Sequence, residues 1–228
     1  NALTGPGSVL GEAISASEKV DMVSLTGDTS TGKEIMRAGA NNVKRLHLEL
    51  GGKAPFIVFD DANLEAAAQG AVAASMVNGG QDCTQAARFL VQEKIYGRFV
   101  KRVVELLKTI RIGDPLERST DLGPLVSDKQ REKVETYAGI AKGEGAKLEI
   151  GGARPKGKEF ERGWYYLPTL FSDATFDMRI SCEEVFGPVV TAMSFKTEQQ
   201  AIEIANGVIY GLYSSVWTKD VHRAFRVA

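Results

Sequence analysis

Short apolar runs alternate with helix-like segments along the whole of this sequence, and this alternation limits its possible folds more than any other feature. The runs 54–59 and 189–195 have the length and apolar character of buried strands. Ala-rich or amphipathic segments at 63–78, 95–110 and 128–144 lie between such runs. Strands that alternate with helices predict an α/β fold with a mostly parallel sheet.

Charge and composition exclude several classes of function. The 28 basic and 29 acidic residues are interspersed and give a net charge of −1, so a nucleic-acid partner is not expected. No apolar run approaches the roughly 18–20 residues of a membrane helix. Two cysteines, Cys83 and Cys182, are too few for a disulfide framework and predict a reduced, cytoplasmic setting. His47 and His222 have no spaced Cys or His partners that would suggest a zinc site.

Two segments in the first quarter of the chain carry candidate chemistry. The segment 27–32, Gly-Asp-Thr-Ser-Thr-Gly, follows a predicted strand and opens a predicted helix, where backbone N–H groups suit an anion such as pyrophosphate. It is equally compatible with a plain strand-to-helix turn. Glu49 stands between Leu48 and Leu50 at a strand end, which predicts partial desolvation and a role as general base. The alternative is an edge-strand glutamate that reaches water.

Two later segments add a thiol and an acidic loop. Cys83 follows a glycine pair, and a position near a helix start would favour its thiolate. The alternative is a buried, inert cysteine, which is the preferred interpretation of Cys182. The segment 183–189, Glu-Glu-Val-Phe-Gly-Pro-Val, could hold a sugar hydroxyl and an apolar ring face, or it could be a surface loop packed by Phe186.

Taken together, these segments resemble the aldehyde dehydrogenase superfamily. The strings LELGGK, GQDC and EEVFGPV occur in the family's order, and the similarity extends over essentially all 228 residues. Glu49 and Cys83 are 34 residues apart, and Glu184 lies 101 residues beyond the cysteine. This spacing is similar to that of the family's general base, nucleophile and ribose-binding glutamate.

The resemblance implies a mechanism and a set of site residues. The Cys83 thiolate would attack an aldehyde, with its own backbone N–H as one oxyanion donor, and hydride loss would leave a thioester. Glu49 would then activate the hydrolytic water. The cofactor implied is NAD, with NADP also open. By the same carry-over, the residues that contact it would be Gly27, Asp28, Gly32, Leu50, Gly51, Glu184 and Phe186.

The family pattern also predicts the domain organisation. Residues 1–50 would be the last part of a Rossmann-like coenzyme-binding domain, and residues 51–228 an incomplete catalytic domain. The chain has about half the family's usual length, so we expect it to be inactive by itself. Asp28 stands where the family usually has Ser, and a carboxylate beside a pyrophosphate should weaken its binding.

The sequence around the thiol suggests a substrate class. Asp82-Cys83-Thr84 looks most like the betaine-aldehyde and aminobutyraldehyde dehydrogenases, and an acid beside the nucleophile would suit a cationic ω-aminoaldehyde. A hydroxyaldehyde is the alternative substrate. Two other functions stay open: a non-catalytic folded unit that self-associates, as a homo-oligomer would, and an NAD-independent esterase that uses Cys83 and Glu49.

Overall fold

The chain forms two compact units in the computed structural model, which describes all 228 residues. The first unit is Asn1–Gly51 and the second is Gly52–Ala228. This division falls one residue away from the predicted boundary after residue 50. The assignment of the two parts to a coenzyme-binding and a catalytic domain stays a prediction.

The first unit contains two helices and a two-stranded parallel sheet. Its elements are α1 (Gly7–Ala16), β1 (Met22–Thr26), α2 (Thr29–Gly39) and β2 (Arg45–Glu49). The two strands pair in parallel from Met22 opposite Arg45 to Thr26 opposite Glu49. The return from β1 to β2 therefore runs through α2, as a parallel connection requires.

The second unit is built on a six-stranded sheet with helices on both faces. Its strands are β3 (Ala54–Val58), β4 (Ala86–Gln92), β5 (Lys147–Ile150), β6 (Thr169–Ser172), β7 (Val189–Phe195) and β8 (Ser215–Trp217). Its helices are α3 (Leu64–Met76), α4 (Glu93–Leu107), α5 (Asp128–Gly143), α6 (Arg179–Cys182), α7 (Glu198–Asn206) and α8 (Val221–Val227). The strand order is β5-β6-β7-β4-β3-β8, and only β5 runs antiparallel to its neighbour. The predicted α/β class with a mostly parallel sheet is confirmed.

Strand alternation explains why this sheet has a core on each face. Phe56 and Val58 of β3 belong to the apolar cluster that α3 and α4 cover, whereas Ile57 and Phe59 belong to the cluster covered by α5 and α7. Successive strand residues point to opposite faces, so β3, which is buried on both faces, has no polar position. This is the source of the continuous apolar runs seen in the sequence.

Some predicted boundaries differ from those observed. The sequence also predicts a strand at 165–171, but β6 begins only at Thr169, because Pro168 has no N–H for a sheet ladder. A further strand is predicted at 212–217, but β8 is limited to Ser215–Trp217, and α8 is not predicted. No helix in the structure combines the length and the apolar character needed to cross a membrane.

Candidate active site

Cys83 lies in a tight turn between α3 and β4. Three consecutive residues before it, Asn78, Gly79 and Gly80, have left-handed backbone with φ of 50°, 66° and 68°. Cys83 itself is partly buried and forms no disulfide. Cys83 does not stand at a helix start, the position that would favour its thiolate, because the chain runs from this turn directly into the buried strand β4. A helix dipole therefore does not act on this thiol from the residues that follow it.

Gly80 brings the thiol turn against the loop that precedes β7. A methyl group on Gly80 would lie 2.1 Å from the carbonyl oxygen of Gly187 and 2.5 Å from Gln85 Nε2. Gln85, which is buried, donates to the carbonyl oxygens of Gly187 (2.8 Å) and Ser75 (2.9 Å). Only a glycine permits this approach of the two backbones, and its positive φ adds to the requirement.

Gly52 belongs to the string LELGGK, and within the second unit it contacts residues of the other two strings, GQDC and EEVFGPV. Its N–H donates to Glu184 Oε1 at 2.9 Å. A methyl group on Gly52 would lie 2.1 Å from the carbonyl oxygen of Cys83, so its Cα packs against the thiol turn. Gly52 therefore lies between the candidate nucleophile and the candidate ribose-binding carboxylate.

The loop that carries Glu184 and Phe186 is held rigidly by side-chain bonds to its backbone. Gln130 Nε2 donates to the carbonyl oxygens of Val185 (3.0 Å) and Phe186 (2.7 Å). Phe186 has a left-handed φ of 58°, which costs a non-glycine residue on the order of 1–3 kcal/mol and is often found at functional sites. The loop is therefore fixed in place, as either a binding loop or a surface loop packed by Phe186 would be.

Glu183 differs from its neighbour Glu184 in its role. Arg179 donates two hydrogen bonds to it, at 2.8 and 2.9 Å, and Tyr137 donates a third. These bonds, those from Arg179 first, lower the pKa of Glu183 to about 2. Glu183 thus anchors the start of the loop to α5, and Glu184 is the member of the acidic pair that remains for a ligand.

The second cysteine is held in a polar contact of its own. Cys182 Sγ donates to the carbonyl oxygen of Phe176, and burial raises the pKa of this thiol. Both facts favour its thiol form. The prediction that Cys182 is the less reactive cysteine is consistent with this geometry.

The first unit places its candidate residues around the start of α2. Gly27 N–H donates to the carbonyl oxygen of Glu49 at 2.9 Å. A methyl group on Gly32 would lie 2.8 Å from Leu50 Cδ2, so Leu50 packs on the first turn of the helix. Gly27, Gly32, Glu49 and Leu50 therefore lie close together in this unit.

Asp28 is the N-cap of α2. Its Oδ1 accepts from the backbone N–H of Ser30 at 2.7 Å and from the Ser30 hydroxyl at 2.6 Å. Asp is among the preferred N-cap residues for this reason. The carboxylate therefore takes one of the amide groups that would otherwise be available to a pyrophosphate at this helix end.

Glu49 is more open than predicted. Its side chain is 47% exposed, and His47 Nε2 lies 3.5 Å from its Oε1. The predicted desolvation by Leu48 and Leu50 is wrong, because neighbours along a strand point to the opposite face. The sequence did not single out His47 as a neighbour of this carboxylate, and Ser24 lies within hydrogen-bond distance of the His47 ring (3.1 Å).

Two buried basic residues near Gly52, Arg88 and Lys53, were not predicted as part of the site. Arg88 is 1% exposed and donates to the carbonyl oxygens of Lys53, Ile204 and Ala205, each at 2.8 Å. Lys53 is 3% exposed, and burial first and the charge of Arg88 second lower its pKa to about 7. The only signal in the sequence was a charged residue at an apolar strand: Lys53 immediately precedes β3, and Arg88 is the third residue of β4.

Comparison with known proteins gives consistent family matches. The model of the aldehyde dehydrogenase family matches residues 1–228. A betaine aldehyde dehydrogenase of Bacillus subtilis is 46% identical over 228 residues, and a peroxisomal aminoaldehyde dehydrogenase of Pisum sativum is 42% identical over 227 residues. Each alignment covers 100% of this chain but only 46% and 45% of the relative, so the chain spans about half the length of these curated proteins.

Solved structures agree in fold as well as in sequence. A betaine aldehyde dehydrogenase from Staphylococcus aureus, solved in complex with NAD+, superposes with a TM-score of 0.96 at 43% identity. The match covers 98% of this chain and 44% of that one. On the family model, the sequence identity and the shared fold, this chain belongs to the aldehyde dehydrogenase family.

Proposed function

We propose that this chain carries the thiol site of an NAD-dependent aldehyde dehydrogenase, which oxidises an aldehyde to a carboxylic acid. The observation that carries the proposal is the position of Gly52, whose N–H bonds to Glu184 and whose Cα packs against the carbonyl of Cys83. A thiol and a carboxylate acceptor are thereby fixed on either side of one peptide. Family membership supplies the reaction class.

Cys83 is the proposed nucleophile. Its sulfur would form a bond to the aldehyde carbon, and the Cys83 backbone N–H would stabilise the resulting oxyanion. Loss of hydride would convert this thiohemiacetal into a thioester on Cys83. The rigid turn at 78–80 supports the proposal, because a nucleophile must be held in a fixed orientation.

Glu49 is the proposed general base for hydrolysis of the thioester. It would remove a proton from the attacking water and release the carboxylic acid. Its half-exposed carboxylate has access to water, which supports the role.

The chain offers a suitable acceptor for a nucleotide ribose. Glu184 Oε1 is fixed by Gly52 N–H, and Oε2 receives no protein donor, so the carboxylate can accept from sugar hydroxyls. A bound nicotinamide would accept the hydride. We assign its contacts to Glu184 and Phe186 in the second unit and to Gly27, Asp28, Gly32, Leu50 and Gly51 in the first.

The capped helix α2 sets a condition on that assignment. Because Asp28 already accepts from Ser30, an incoming pyrophosphate would have to displace the carboxylate or bind beside it. We therefore expect this chain to hold NAD more weakly than a relative with Ser there. The choice between NAD and NADP is left to experiment.

An ω-aminoaldehyde is the proposed substrate class. The names of the Bacillus and pea relatives support it, and so does the acid next to the nucleophile. Asp82 Oδ1 accepts from the backbone N–H and the hydroxyl of Thr84 at 2.8 and 2.7 Å, which fixes its negative charge beside Cys83. A cytoplasmic setting for this reaction stays a prediction from the cysteine content.

The test is the alkylation rate of Cys83 compared with that of Cys182, measured by iodoacetamide labelling and peptide mapping. We expect Cys83 to react faster than Cys182 at pH 7, since burial raises the pKa of Cys182 and so lowers its thiolate fraction. NAD should change the rate at Cys83 alone.

Two matched variants separate the parts of this proposal. In Cys182→Ser the rate at Cys83 should be unchanged, and in Glu184→Gln the effect of NAD should be lost. If both cysteines react at the same rate, Cys83 is not an activated nucleophile in this chain. If NAD has no effect while Cys83 is fast, the thiol site is present without the cofactor site.

A non-catalytic, self-associating unit is the second candidate function. Large apolar side chains of the second unit, including Ile209, Val221 and Phe225, are exposed. Exposed apolar surface favours association, and we expect the chain to form oligomers in solution. Light scattering at several concentrations checks this, and a constant monomer mass across them would contradict it.

A further inference from the structure

A cavity of about 270 Å³ lies beside the start of β3, within the second unit. It far exceeds the roughly 10–15 Å³ that one water requires. Two of its lining residues, Leu212 and Tyr213, are exposed, so the cavity opens to solvent. It is lined as well by Lys53, Asn206, Tyr210 and Ser214.

Lys53 is the unusual member of this lining. Its side chain is almost completely buried, yet no carboxylate lies within the 4.0 Å of an ion pair. Buried ammonium groups are normally paired, because an unpaired charge is costly to remove from water. The neutral amine avoids that cost, and a neutral amine is a nucleophile.

We propose that Lys53 is a covalent carbonyl-binding site, at which small aldehydes that enter this cavity form an imine. The nitrogen lone pair attacks the carbonyl carbon, a C–N bond forms, and the carbonyl oxygen leaves as water with both amine hydrogens. No oxidant or reductant is consumed. A desolvated lysine beside another cation is a known way to activate an amine toward carbonyl compounds.

The groups around Lys53 determine its protonation. Burial is the largest influence and lowers its pKa to about 7. Arg88 on β4 and Lys133 on α5 lower the pKa further, whereas Glu184 and Cys182 raise it. Tyr210 and Tyr213 also line its cavity, as does Ala228 with the terminal carboxylate. At pH 7 roughly half of such an amine is neutral, compared with less than about 0.1% at the ordinary lysine pKa of about 10.4.

Propanal with cyanoborohydride tests the proposal, because reduction of the imine leaves a stable propyl group that peptide mapping locates. We expect initial labelling of Lys53 at pH 7 to exceed that of the exposed Lys94 and Lys196 by at least tenfold. At pH 10 the ratio should fall, since the exposed amines then become neutral as well. In urea the preference should disappear.

A variant of the cavity wall shows whether the aldehyde enters through it. Ser214→Trp places a large side chain in the lining and should slow Lys53 labelling several-fold, with Lys94 unchanged. Ser194→Trp, at an exposed position of β7 outside the cavity, is the matched control. Labelling of Lys53 no faster than Lys94 in the native chain at pH 7 would overturn the proposal. The site does not depend on Cys83, so Cys83→Ser should leave it intact.

Discussion

Replacement of Gly80 by alanine should lower the free energy of unfolding of the second unit by roughly 3 kcal/mol. About 1–2 kcal/mol comes from forcing a side chain into the left-handed region at φ of 68°. A further 1–2 kcal/mol or so comes from displacing Gly187 and breaking the bond that Gln85 donates to it. The loss is readable by urea unfolding followed by tryptophan fluorescence, since Trp164 and Trp217 both lie in the second unit.

The same substitution at Gly139 is the control. Gly139 lies on the exposed side of α5, and a methyl group there meets nothing within 4 Å. Alanine should therefore raise the free energy of unfolding by about 0.5–1 kcal/mol, because it restricts the unfolded chain and favours the helix. Equal effects of the two substitutions would contradict the view that the contact of Gly80 with Gly187 is required.

The fold could be predicted from sequence because its signals are local. The apolar run of β3 is continuous since both faces of the strand are buried, by α3 on one side and α7 on the other. Strand ends were harder, because they depend on what a residue faces. Leu212 is apolar and was predicted to lie in a strand, but it lines a cavity before β8 begins.

The candidate residues of the site could be predicted from the sequence, but the contacts that hold them in place could not. The strings that contain Cys83 and Glu184 are specific in sequence, whereas the contacts that fix them span more than 100 residues and involve the backbone of Gly52 and Gly187. No helix starts near Cys83, because the glycine pair before it forms a left-handed turn that leads into a strand.

The role expected for Asp28 from the sequence differs from the role that it has in the structure. In sequence it is an acid where an anion is expected to bind. In the structure it is an N-cap that satisfies an amide and a hydroxyl of Ser30. The two descriptions are compatible, since an N-cap carboxylate stabilises the helix and competes with a phosphate for the same N–H groups.

Arg88 connects the candidate site to the core of the sheet, and its replacement by methionine should cost at least about 3 kcal/mol in the free energy of unfolding. The carbonyl of Lys53, which is buried, and those of Ile204 and Ala205, which are part-buried, would each lose a charged donor. Each unsatisfied buried group costs about 1–3 kcal/mol. Methionine fills a similar volume, so the loss reports on the hydrogen bonds rather than on a cavity.

The exposed Arg98 on α4 provides the matched control, because Arg98→Met should change the free energy of unfolding by less than about 0.5 kcal/mol. A second measurement separates a local role for Arg88 from a general loss of stability. The charge of Arg88 lowers the pKa of Lys53, so its removal should raise that pKa and slow propanal labelling of Lys53 at pH 7 under conditions where the variant stays folded. Labelling that stays at the native rate would mean that burial alone activates Lys53, and unfolding curves that match those of Arg98→Met would mean that the three carbonyls find other donors.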